Sequence, residues 1–147
     1  MGNSALRDAT AHSRNRRILL KRIMHDIQKR NDIELLVDKF YERVLVDDLI
    51  GVFFTEVVEL NWDTHIPIMY DFWETTLLGE VKYKGNPMVK HIELNSRKAL
   101  NTEHFDRWLS LWETTVKENF DGVKSEEAIK KAKLIGGLMK FKIEQHS

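Results

Sequence analysis

Apolar residues recur every three or four positions along most of this chain, the period that gathers them on one face of a helix. Ile33, Leu36, Val37, Phe40 and Val44 follow that spacing, with Tyr41 beside the stripe. Asn31 stands ahead of them as a cap, and Glu34 lies three residues on to reach back. Asp47 and Asp48 end the segment, and Gly51 opens a turn before Phe53 and Phe54. A second stripe runs through His65, Met69, Phe72 and Thr76, with Trp73 next to it. Its helix is expected to begin between Asn61 and Thr64. Pro67 should then lie near the start, because the first turn has no internal partner for a missing N–H. Gly79 stops it.

Residues 80–101 are the least regular. Tyr83-Lys84-Gly85-Asn86-Pro87 is dense in turn formers. Asn86 as cap and Pro87 as first helical residue predict a short helix carrying Met88, His91, Ile92 and Leu94. A long helix capped by Thr102 follows, with Phe105, Trp108, Leu109, Trp112, Val116 and Phe120 as its stripe. Asp121-Gly122 closes it. Ser125 is expected to cap the last helix, which turns Ala132, Ile135, Gly136, Met139 and Ile143 inward. Strand-like alternation, internal repeats and low-complexity tracts are absent, so the pattern predicts an all-α domain.

The ends of the chain differ in charge. Residues 1–30 hold eight Lys/Arg against two acids, a net +6, and since the whole chain is neutral the remainder carries −6. This divides the chain into a basic N-terminal extension (1–30) and a folded domain (31–147). Within the extension, Ile18, Leu19, Leu20, Ile23 and Ile27 can form one side of a basic amphipathic helix. A frayed leader, with Met24 as an alternative start, accounts for it equally well, and a membrane-surface role is weakly specified. An acidic body argues against nucleic-acid binding by the domain. No apolar run reaches the roughly 18 residues of a transmembrane segment. The N-terminus lacks the apolar core of a secretory signal, so a cytoplasmic location is expected.

The composition narrows the chemistry further. The chain has no cysteine, which removes thiol nucleophiles, zinc–thiolate sites and disulfides. No glycine-rich phosphate loop, nucleophile elbow or HExxH motif occurs. Histidine remains. Of the six, His12, His25 and His146 lie near the ends, and His104 occupies a first helical turn where exposure is the default. His65 and His91 differ, because each neighbours residues that must pack inward. Two such histidines on separate helices, with aromatics and Tyr41 facing them, describe either an ordinary core or a pocket for an apolar cofactor. Periodicity and composition go no further.

The local strings do. Asp38-Lys39-Phe40-Tyr41-Glu42-Arg43-Val44 resembles the tyrosine-bearing helix of truncated haemoglobins. His65, then Phe72-Trp73, then Leu77-Leu78-Gly79, is similar to the distal helix of the group III (P-type) class. Tyr83 to Pro87 followed by Lys90-His91-Ile92-Glu93-Leu94 is similar to that class's proximal segment, and His104-Phe105-Asp106-Arg107-Trp108-Leu109 to its next helix. The resemblance spans about Asp32 to Phe141.

It implies a truncated globin, a two-over-two helical sandwich, around haem b. His91 would be the proximal iron ligand. Tyr41 and Trp108 would offer O–H and N–H donors to dioxygen or another diatomic ligand in the pocket, and such donors slow its release. His65 would stand on the distal side as donor or swinging gate, Met69 would line the distal wall, Phe54 would pack on the haem face, and Trp73 would line the pocket. Two donors suit redox chemistry or detoxification better than bulk transport, with a reductase as partner. A peroxidase-like haem enzyme and a non-haem helical interaction module are the alternatives. For the former, no acid stands where it could polarise His91, since Glu93 is two residues away and points elsewhere on a helix.

Overall fold

The computed structural model describes residues 24–57, 62–80 and 100–146. Four α-helices carry the fold: α1 (Arg30–Leu45), α2 (Trp62–Leu78), α3 (Thr102–Asn119) and α4 (Val123–His146). A single π-helical turn, Phe53–Val57, lies between α1 and α2. No strand occurs among the described residues. The short helix expected around Asn86 and His91 falls outside them.

The helices pack as two pairs. α1 lies against α2, α3 lies against α4, and the pairs meet mainly where α1 crosses α3, with a smaller contact between α2 and α4. The predicted stripe on α1 is the centre of the core. Ile33, Leu36, Val37, Phe40 and Val44 are all at most 2% exposed. α3 contributes Trp112 and Val116, and α4 contributes Ala128 and Ala132, all buried. The alanines let α4 approach closely, and the Trp112 indole N–H reaches across to the Ala128 carbonyl at 3.1 Å. That bond satisfies a donor that would otherwise be stranded in the interior.

The helix starts depart from the sequence reading. α1 begins one residue before Asn31, and Asp32 reaches back instead of Glu34: its carboxylate accepts the Lys29 and Gln28 amides at 3.2 and 2.9 Å. α3 is capped by Asn101 rather than Thr102, with the Asn101 side chain accepting the His104 amide. α4 is not capped by Ser125. The Asp26 carboxylate accepts the backbone amides of Lys124 and Ser125, each at 2.8 Å, and the Ser125 hydroxyl instead donates to the Gly122 carbonyl. A carboxylate at a helix N-terminus satisfies orphan donors and meets the positive end of the dipole. Asp26 fits there because Gly122 lacks a side chain. A Cβ at that position would come within 2.5 Å of Asp26, and the backbone holds φ +147°.

Pro67 lies inside α2, five residues past its first residue and so beyond the first turn where the sequence reading put it, and its missing N–H costs the helix one internal hydrogen bond. Gly79, at φ +75°, ends the helix as predicted. On α2 the deepest residues are Trp73 and Leu77, while His65, Met69, Phe72 and Thr76 are only half-buried. Of these four, His65 enters the site below.

Candidate haem pocket

Tyr41 leaves α1 one position after the core residue Phe40, which turns its ring toward the start of α2. Only 9% of it is exposed. Its hydroxyl meets Nε2 of His65 at 3.0 Å. Burial pushes the Tyr41 phenol well above its ordinary range, so it stays protonated and keeps an O–H to donate. The direction of the bond follows the imidazole. With the ring proton on Nδ1, Tyr41 donates to Nε2. With a proton on Nε2, His65 donates to the phenol oxygen and the Tyr41 O–H is released for another acceptor.

Aromatic rings wall this pair. Phe54, from the π-helical turn, packs edge-on to Tyr41 at 5.9 Å. Trp62, the first residue of α2, lies 5.6 Å from Tyr41 and 5.7 Å from His65. Beyond Phe54 an apolar cleft opens to solvent. Ile50, Phe53, Phe54 and Leu100 form one part of its lining; Phe105 and Trp108 of α3 and Met139 of α4 form the other, with His104 as the polar member. Trp108 also touches Phe40, edge to face at 6.0 Å.

The structure thus brings Tyr41, His65 and Phe54 into contact, and Trp108 joins Phe54 in the cleft lining. Met69 is half-buried one turn after His65 on α2. Trp73, a further turn along, stacks on Trp112 at 4.3 Å and 20° and is 4% exposed. His91 lies outside the described residues.

Two residues of the site escaped the sequence reading. Trp62 stands three residues before His65, one turn ahead of the stripe that the sequence reading counts from His65. His104 is not the exposed residue expected of a first turn: its ring packs on Phe53 at 4.8 Å and lines the cleft. The signal was available, since His104 precedes Trp108 by four residues and shares its helical face. His104 Nδ1 accepts the Asn101 amide at 3.1 Å, so the neutral ring carries its proton on Nε2.

The lining suits a flat apolar macrocycle. Seven of the eight cleft residues are aliphatic, aromatic or methionine, with one polar member, the make-up of a small-molecule site. A paired-helix sandwich with such a cleft defines the truncated globin fold. A family model described as bacterial-like globin matches residues 23–141. The chain belongs to that family, and with it to proteins that bind small ligands through haem.

It is similar to a group 3 truncated haemoglobin of Campylobacter jejuni, 28% identical over 109 residues that cover 72% of this chain and 84% of the relative. It is also similar to a group 1 truncated haemoglobin of Synechocystis, 43% identical over 75 residues, 50% of this chain and 58% of that protein. Among solved structures, a group III truncated haemoglobin from Campylobacter jejuni superposes with a TM-score of 0.73 at 23% identity, over 85% of this chain and 98% of the other.

Proposed function

We propose that the protein holds haem b through His91 and binds dioxygen or a related diatomic ligand for redox chemistry or detoxification, in the cytoplasm and with a reductase as partner. One observation carries this reading: a buried phenol paired with an imidazole and walled by aromatic rings, at the edge of an apolar cleft. Haem, when bound, supplies an iron centre that takes up diatomic ligands. The chain's residues do the rest. Phe54, Phe105, Trp108 and Met139 would pack against the macrocycle with their apolar faces. Tyr41 and His65 hold between them one proton that can be turned toward a ligand bearing partial negative charge. Retention of such a ligand by hydrogen bonding favours chemistry on it over its release.

The test is the visible spectrum. Purified full-length protein reconstituted with hemin should be red with a strong Soret band, and His91→Ala should lose or shift it. A colourless protein that ignores hemin would reject the haem reading, and a His91→Ala variant with an unchanged spectrum would move the ligand elsewhere.

A further inference from the structure

The outer face of α4 does not look like ordinary solvent-exposed helix. Leu134, Leu138 and Phe141 are 58%, 42% and 56% exposed. Their spacing of four and three residues sets them in one line along the helix. The opposite face is committed: Ala132, Gly136, Met139 and Ile143 are buried. The other exposed large apolar side chains among the described residues, Leu35, Leu45, Val46, Ile68 and Val123, form no such line along one helix. Lys130, Lys131 and Lys142 flank the α4 line, and no ion pair among the described residues holds them. Lys133 stands at the edge, and no acid interrupts the stretch from Ala128 to Ile143.

We propose that this face of α4 docks on an anionic phospholipid surface, the apolar line entering the headgroup boundary and the lysines meeting the lipid phosphates and carboxylates. An apolar stripe rimmed by lysine is the pattern of a helix lying in the interface plane. Charge selects this occupant over a second copy. Symmetric α4–α4 packing would set the lysine rims of two protomers against each other, and three side chains fall far short of the roughly 800 Å² per partner of a stable interface. The N-terminal extension is a poor cover for the same reason, since it too is strongly basic. The proposal does not depend on the haem reading.

The experiment is co-sedimentation of the full-length, hemin-loaded protein with vesicles of phosphatidylcholine alone and of phosphatidylcholine with 30% phosphatidylserine (about three to seven). Binding to the anionic vesicles is expected, with loss on the order of tenfold in Phe141→Ser and in Lys130→Glu/Lys131→Glu, and weakening as salt rises. Because the chain has no cysteine, Leu138→Cys takes a single environment-sensitive dye, whose emission should shift to the blue on anionic vesicles. Absent binding, or binding untouched by these α4 variants and without a dye shift, overturns the proposal. So does equal binding to neutral vesicles. A concentration-dependent dimer abolished by Phe141→Ser would assign the face to a second copy instead. Far-UV circular dichroism of each variant separates lost docking from lost folding.

Discussion

At the scale of single residues, the pocket's chemistry turns on which atom of a pair carries a proton. Tyr41 is locked as a phenol by burial, so the variable is the imidazole of His65. Tyr41→Phe removes the O–H and leaves the ring packing, so dioxygen release should quicken by about 2- to 10-fold, the worth of one hydrogen bond of about 0.5–1.5 kcal/mol. Flash photolysis of the variant measures it, and an unchanged off-rate would show that the phenol serves only His65. One carboxylate, Asp47, contributes to the acid sensitivity of the fold. Burial alone would raise Asp47, but the amides of Ile50 and Leu49 and the Arg107 guanidinium outweigh it and hold Asp47 below the usual range. A depressed folded pKa stabilises at pH above the unfolded value, about 3.9, and that contribution disappears as pH falls through the lower folded value. Asp47→Asn should therefore lower stability near pH 7 and lessen its fall below about pH 4. Urea unfolding at pH 7 and pH 3 checks both, and equal losses at the two pH values would refute it.

At the scale of elements, the helices answer to two kinds of information. The stripes on α1 and α3 were legible because burial follows a period in the sequence, and Phe40, Val44, Trp112 and Val116 are buried as that period requires. The caps were not, because a cap is chosen by geometry among several nearby candidates. Asp26 as the cap of α4 was beyond local reading altogether, since it lies 98 residues from Lys124, the first α4 amide it holds. Asp26→Ala should cost about 1–2 kcal/mol, the high end for a lost cap, because the amides of Ile27, Lys124 and Ser125 lose their acceptor together. Gly122→Ala should destabilise as well, since its Cβ collides with Asp26. Urea unfolding of each variant measures these costs. If the double variant loses no more than the worse single one, the two residues act as one device. The candidate site was legible to a similar degree: Tyr41, His65 and Trp108 came from their motifs, whereas His104 was missed because its helix start was read as solvent-facing, and Trp62 because the α2 stripe was counted from His65.

At the scale of the whole molecule, a cofactor large enough to fill the cleft is part of the stability of the fold. Ligand that binds the native state alone stabilises it by about 2.7 kcal/mol at a hundred times its Kd. For a chain of this length that corresponds to a rise of roughly 5–10 °C in Tm on hemin addition. Differential scanning calorimetry with and without hemin would show it, and coincident transitions would mean that the cleft is closed to the macrocycle. One feature already described orders events in time. The carboxylate of Asp26 is synthesised near the beginning of the chain, but the amides it serves belong to the final helix. A nascent chain cannot fasten this clasp until Lys124 and Ser125 have been made, so the start of α4 is pinned only after the first three helices exist.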